Sequence, residues 1–364
     1  MLHPRYIRYF RKTLSFGVIW LTFGLVYVLL EAGLLGNLAE YPTTGNKYNW
    51  QSSLIYTSTG CFITGLLQGW IEVFWLNRRL SKFSFRKKIL LKSIFYLSFI
   101  IVFFVLLTLI INAQHYNAGI FDPIVLDSLW RFMQEFAFWS VVIYAGIILD
   151  VAIFYSEIEY LCSNGVLYNY VFGKYHRPRQ ETRIFMFLDM KSSTTIAEKI
   201  GHEKYFDLLK TYYADMTDAI LETSGEIYQY VGDEIVVTWT KKKGIYANNC
   251  IRCLAKISKT IEQKQEEYHS SFGLVPEFKA GYHIGKVTTG EIGIIKKDII
   301  HTGDVLNTTA RIQAQCNRYN AKALISGDLL EELKKEDPIS FTPIGELTLR
   351  GKKKPIKLCT IDFK

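Results

Sequence analysis

The chain has 364 residues, with 43 Lys and Arg against 34 Asp and Glu, for a formal charge of +9. That length accommodates two domains, each with its own core. The basic excess does not predict a nucleic-acid partner, because its two acid-free clusters, "RYIRYFRK" and "NRRLSKFSFRKKILLK", each lie beside a long apolar run, where a membrane protein keeps its cytoplasmic Lys and Arg.

Apolar runs of roughly 20 residues are long enough to cross a bilayer as helices. They predict four transmembrane helices, at 14–35, 53–76, 89–112 and 136–155. The first follows a basic start, is too long for a signal peptide and lacks a small-residue cleavage site, so it should remain as an anchor. The connectors "GNLAEYPTTGNKYNWQ" and "AQHYNAGIFDPIVLDSLWRFMQE" are poor in Lys and Arg and should face outside. Residues 1–155 then form a multi-pass bundle in the cell (inner) membrane, with both termini cytoplasmic. Glu72, Lys92 and Asp150 fall within or at the ends of these spans, where ionisable groups pair, serve function or snorkel to the interface. A sensory role for the spans stays open, with no ligand named.

Residues 156–182 read as a coupling linker, because Gly165, Gly173 and Pro178 prevent one uninterrupted helix. The soluble half starts with an apolar strand, 184–188, that ends on Asp189 and runs through "MKSST" into a helix. A helical pattern follows, with Tyr205, Leu209, Tyr212, Met216 and Ile220 on one face, and Gly225 stops it. Next, "EIYQYVGDEIVVTW" reads as two strands joined at Gly232-Asp233, a hairpin signal that places Asp233 at the tip. A helix is expected over 247–267. Its Cys250 and Cys253 form a CxxC without further ligands at zinc spacing, which reads as one helix face. Strands "EFKAGYHIG" and "KVTTGEIG", a helix from Asp304, and short strands through "LISG", "FTPIG", "ELTLRG" and "IKLCTIDF" complete the chain. This order suits an α+β sheet with helices on one face.

Asp189 at a strand end and Asp233 on a hairpin could point into one place if their strands are neighbours. Two carboxylates suit a hard divalent cation that takes its remaining ligands from water and phosphate. Backbone amides in "MKSST", at a helix start, favour phosphate. Taken alone, both acids could equally be a helix cap and a turn residue. Asn307 and Arg311 are four apart and share a helix face, where they could stabilise phosphoryl charge or simply face water.

Taken in order, the strand ending on Asp189, the hairpin "GDE", "HIG…TGEIG", "GDVLNTTAR" and "GELTLRGKKKP" resemble the catalytic domain of a class III nucleotidyl cyclase. The resemblance covers 183–364 and implies a cyclase homology domain with a ferredoxin-like, palm-like sheet. It further implies conversion of ATP to cyclic AMP and pyrophosphate, with two Mg²⁺ or Mn²⁺ ions per site held by Asp189, Asp233 and the Met190 carbonyl. Ser192, Ser193 and Thr194 would form the phosphate turn. Asn307 would orient the ribose, Arg311 would stabilise the transition state, and Arg350 stands where the family usually has a polyphosphate-binding Lys. Such sites form between two catalytic domains, so a homodimer is implied. There are departures: Ser193 replaces a usual Phe, Gln229 replaces the base-selecting Lys, and Ile300 stands where its Asp or Thr partner belongs, with Asp298 two positions out of register. Adenylate cyclase is the leading expectation, with guanylate cyclase or a catalytically dead receptor or dimerisation module as alternatives.

Overall fold

Long apolar runs without internal proline satisfy their backbone groups best as helices. The computed structural model describes residues 4–40, 47–80, 83–161, 166–334, 339–351 and 354–363. The chain divides into two compact units, whose main stretches are Tyr6–Cys162 and Ser163–Lys364.

The first unit is all-helical. It contains α1 (Pro4–Leu35), α2 (Trp50–Ile71), α3 (Phe85–Tyr116), α4 (Pro123–Gln134) and α5 (Phe136–Leu161). Helix α2 continues through a π-helical turn, Glu72–Leu76, and a last turn, Asn77–Arg79. Among the described residues, three helical segments are long and apolar enough to span a membrane: Tyr6–Leu35, Phe85–Tyr116 and Phe136–Tyr160. The second expected span is helical, but its Ser, Thr, Gln and Gly residues leave it outside that set. Helix α4 lies in a connector for which no element was expected. Pro123 opens it, and the Asp122 carboxylate accepts from the Ile124 amide at 3.1 Å.

The ionisable residues of this unit pair with one another. The Lys92 ammonium is fully buried and donates to Glu72 and, at 2.5 Å, to Glu157. Tyr96 adds its hydroxyl to Glu72 at 3.3 Å, and Lys88 lies 3.9 Å from Glu157. The π-helical turn begins at Glu72, a kind of irregularity that recurs at functional sites. Asp150 instead accepts from Ser93 at 2.6 Å.

In the second unit, α6 (Val166–Val171) is short, and Gly173 turns the chain at φ +60. Strand β1 (Arg179–Met190) is twelve residues long and starts five residues before the expected apolar stretch. Then come α7 (Ser193–Ile200), α8 (His202–Glu222), β2 (Glu226–Val231), β3 (Glu234–Thr240), α9 (Asn249–Gln263) and α10 (Gln265–Phe272). The expected single helix over 247–267 is therefore two, divided at Lys264. Cys250 and Cys253 are buried free thiols on α9, and burial pushes each up to about 12. After them lie β4 (Phe278–Ile292), β5 (Asp298–Thr302), α11 (Asp304–Gln315), β6 (Ala323–Ser326), β7 (Ile339–Leu347) and β8 (Ile356–Phe363). Two expected strands fuse into β4, because Gly285 sits against Val305 of α11 instead of breaking the chain.

Among the described residues the eight strands form one sheet in the order β2-β3-β1-β4-β6-β8-β7, with β5 paired to β4. Of the pairings among the described residues, that of β4 with β6 is parallel and the others are antiparallel. Ile184, Met186 and Leu188 point to one face, where they pack with Leu208, Tyr212 and Met216 of α8 and Leu254 and Ile257 of α9. Phe185 and Phe187 point to the other face, with Val236, Val287 and Val305. Residues 184–188 are apolar throughout because both faces of β1 are covered. Helices therefore lie on both sides of the sheet, with α11 opposite α8 and α9, rather than on one face.

Candidate active site

Strand alternation sends Asp189 to the same face as Phe185 and Phe187, under α11. Its neighbours across the ladder are Glu234 of β3 and Lys279 of β4. Lys279 Nζ lies 3.2 Å from Asp189 Oδ2, and Gln313 Nε2 of α11 donates to the same oxygen at 3.2 Å. Asp233 follows Gly232, whose φ of +63 makes the tight turn between β2 and β3. Tyr213 of α8 donates to the Gly232 carbonyl at 2.9 Å and pins that turn.

The structure thus brings Asp189 and Asp233 into side-chain contact. Burial, and then the contact with Asp233, raise the Asp189 pKa, while Lys279 opposes the rise. Glu234 is pushed up to about 7, first by burial and then by the charges of Asp189 and Asp233. Two carboxylates in contact need a shared proton or a cation between them. The two carboxylates are hard anionic oxygen donors of the kind a divalent ion takes, while Lys279 offsets part of their charge at one oxygen of Asp189. Among the described residues no group of three or more His, Cys, Asp or Glu converges as a closed metal cage.

Next to these acids the chain leaves β1 at Met190 and turns at Ser192, which has φ +55. The Lys191 amide is tied to the Glu277 carbonyl at 2.8 Å, and the first intrahelical donation of α7 is from Ile196 to Ser192. The amides of Ser193, Thr194 and Thr195 therefore have no partner within their helix. The Ser193 side chain bonds to Tyr205, whose hydroxyl also senses Asp233 and Asp189. The two acids and the turn expected to take phosphate thus share one end of the sheet.

Asn307 and Arg311 are placed differently. Helix α11 turns Val305, Thr309, Ile312 and Cys316 inward, which leaves Asn307 exposed and Arg311 half-exposed on another side. The backbone of α11 comes close to β4: a Cβ on Gly281 would stand 2.5 Å from the Gln313 nitrogen. The Arg311 guanidinium packs against Gly351, beside the exposed Arg350. Among the described residues no hydrogen bond or ion pair joins Asn307 or Arg311 to Asp189 or Asp233. Gln229 is exposed on β2, one residue after a bulge. Ile300 pairs with Gly290 on the hairpin of β4 and β5, and alternation puts it on the opposite side of β5 from His301. Asp298 is exposed and lies 2.9 Å from Lys296.

A family model for the adenylate and guanylate cyclase catalytic domain matches residues 175–361. The chain belongs to this cyclase family. It is 34% identical over 213 residues to "Adenylate cyclase 2" of Rhizobium meliloti (strain 1021), covering 58% of this chain and 59% of the relative. It is 28% identical over 180 residues to "Adenylate cyclase 1" of the same organism, covering 48% of this chain and 26% of the relative. The chain thus spans less than two thirds of the length of the first and about a quarter of the second. A solved bacterial light-regulated adenylyl cyclase shares the fold at a TM-score of 0.53 and 19% identity, covering 63% of this chain and 66% of that one.

The candidate site also contains residues that sequence reasoning did not find. Lys279, Gln313 and Glu234 touch or crowd Asp189 across strands and from α11. Lys279 and Gln313 had only indirect signals, an isolated Lys in "EFKAG" and a Gln two positions beyond Arg311, whereas Glu234 closes the "GDE" of the hairpin without having been given a role.

Proposed function

We propose that this chain is a membrane-anchored adenylate cyclase, which converts ATP to cyclic AMP and pyrophosphate in sites shared between two copies. The observation that carries the reading is the division of labour on one domain. Asp189 and Asp233 meet beside the α7 turn, whereas Asn307 and Arg311 sit on a side of α11 that faces away from its own sheet. A second copy with C₂ symmetry would bring the acids of one domain to the Asn and Arg of the other, twice.

Asp189, Asp233 and the Met190 carbonyl would hold two Mg²⁺ or Mn²⁺ ions. A divalent ion bound there lowers the pKa of the ribose 3′-hydroxyl and neutralises triphosphate charge. The open amides of Ser193 and Thr194 cradle phosphate oxygens, with Ser192 shaping the turn. Asn307 orients the ribose so that its 3′-oxygen attacks the α-phosphorus while the bond to pyrophosphate breaks in line. Arg311, braced against Gly351, meets the charge that builds on the phosphoryl oxygens, and Arg350 supplies a second cation toward the leaving group. Gln229 contacts the base. Its amide can present either a donor or an acceptor, so it permits guanine as well as adenine, and guanylate cyclase is the alternative reading.

The test is complementation. Asp189→Ala and Arg311→Ala chains should each be nearly inactive, whereas their mixed dimers contain one intact site and should recover part of the wild-type activity. Mixed dimers that form but stay inactive would sink the shared-site reading.

A further inference from the structure

A cluster of buried polar groups lies on the α11 face of the sheet, at the far end of β1 from Asp189, and the reaction described above does not use it. The Arg183 side chain is only 4% exposed. It donates from Nη2 to Glu226 Oε2 at 2.5 Å and from Nη1 to His301 Nε2 at 2.9 Å. Accepting at Nε2 leaves the His301 proton on Nδ1, which donates to Thr289 Oγ1 at 2.8 Å. The imidazole lies against the Tyr228 ring at 4.8 Å and edge-on to Phe185 at 5.7 Å. The Tyr228 hydroxyl accepts the His301 backbone N–H at 3.2 Å. These contacts join β1, β2, β4 and β5. In the sheet, β2 and β5 are not neighbours, since β3, β1 and β4 separate them.

The register of β2 gives this cluster a consequence. Ile227 pairs with Val237 and Gln229 pairs with Val236, so Tyr228 is an extra residue in a bulge. Without the bulge, Gln229 would fall opposite Ile235 and point to the α8 face. With it, Gln229 shares the face of Val236, which is the face of Phe187 and α11. Bulges re-aim side chains in this way and leave one residue out of the ladder, to be held by other contacts. Here the holder is His301, which binds the Tyr228 hydroxyl through its backbone and stacks on the ring.

We infer that Tyr228, His301, Arg183 and Thr289 form a positioning device for purine selection: they lock the β2 bulge, and so keep Gln229 aimed into the base site. This deepens the nucleotide-cyclase reading and rests on it. The device needs a neutral His301. Burial and the Arg183 charge depress the His301 pKa to about 3, so the ring stays neutral at ordinary pH.

Thr289→Val nearly conserves shape but removes the acceptor for Nδ1–H. The ring must then either leave a buried donor unpaired or change tautomer and set N–H against the Arg183 N–H. Thr289→Ser keeps the acceptor. Tyr228→Phe deletes only the hydroxyl at the other end of the network. Full-length chains in membranes are assayed with ATP and with GTP, and kcat and KM are separated for each. Thr289→Val and Tyr228→Phe should lower the ATP-to-GTP ratio of kcat/KM by about five-fold or more, through KM, with kcat for ATP changed less than about three-fold. Thr289→Ser should retain the wild-type ratio. Equal losses on both nucleotides, a ratio that stays within about two-fold of wild type, or a Ser variant as impaired as Val would each overturn the inference. If Thr289→Val does not fold, Tyr228→Phe decides alone by the same criterion. A wild-type chain that cyclises both nucleotides without preference overturns this inference only. One that cyclises neither overturns the cyclase reading as well.

Discussion

Gly281→Ala adds one methyl group to a strand position that touches no substrate, yet the geometry predicts a large effect. The new Cβ would lie 2.5 Å from the Gln313 backbone nitrogen and 2.6 Å from its Cβ, where ordinary contact starts at 3.4 Å. Both obstacles belong to the body of α11, so no rotamer change relieves them, and the helix must retreat by about 1 Å. Overpacking of this kind costs about 1–3 kcal/mol. For a domain of this size that corresponds to a fall of roughly 2–12 °C in thermal midpoint. The retreat also carries Gln313 off Asp189 and displaces Asn307 and Arg311, which ride on the same helix. A misplacement of about 1 Å in groups that position a reaction can cost on the order of 100-fold in rate. Thermal inactivation of full-length chain in membranes, followed by cyclase activity at saturating nucleotide, measures both. A variant with unchanged midpoint and at least half the wild-type activity would refute the claim that the Gly281 contact seats α11.

Asp189→Asn and Asp233→Asn should each reduce cyclic-nucleotide formation by on the order of 100-fold or more, with wild-type membrane insertion, because each removes an anionic ligand; near-normal turnover in saturating Mn²⁺ would contradict the metal assignment. Lys92→Met should destabilise the helical unit by about 3–5 kcal/mol, because Glu72 and Glu157 stay buried without their partner. Adding Glu72→Leu and Glu157→Leu should restore most of that loss in detergent unfolding, and a triple variant no better than the single one would refute the pairing argument. Tags at the N-terminus, near Arg86 and at the C-terminus should be protected from outside reagents, whereas tags near Thr44 and Asn117 should be labelled. Protection of one terminus with labelling of the other would replace the four-span topology by three.

The parts of the fold that were legible in the sequence are those with a local cause. Gly232-Asp233 between two alternating runs marks a hairpin whatever surrounds it, and the observed turn falls there. The polar face of α11 was readable from spacing alone, since Asn307 and Arg311 lie one helical turn apart. Tertiary context overrode local signals elsewhere. Gly285 looked like a strand end, but it is the place where Val305 presses on a continuous β4. The second apolar run formed its helix, yet its Ser, Thr and Gln content separates it from the three strongly apolar helices. Lys279 reaches Asp189 only because β4 pairs beside β1 in that register, and no feature of "EFKAG" announces it. Glu157 was hidden in the same way, since Lys92 is 65 residues away in sequence. The bulge at Tyr228 carried no glycine or proline signal. Its stabilising partner, His301, comes from a strand that is distant in both sequence and sheet order.

The most direct measurement gives membranes containing the full-length chain ATP or GTP with Mg²⁺ or Mn²⁺ and identifies the products. The proposed function predicts cyclic AMP and pyrophosphate in equal amounts from ATP, and a higher kcat/KM for ATP than for GTP. Cyclic GMP formed with the higher kcat/KM would contradict the adenylate assignment, and no cyclic product from either nucleotide would contradict the enzyme itself.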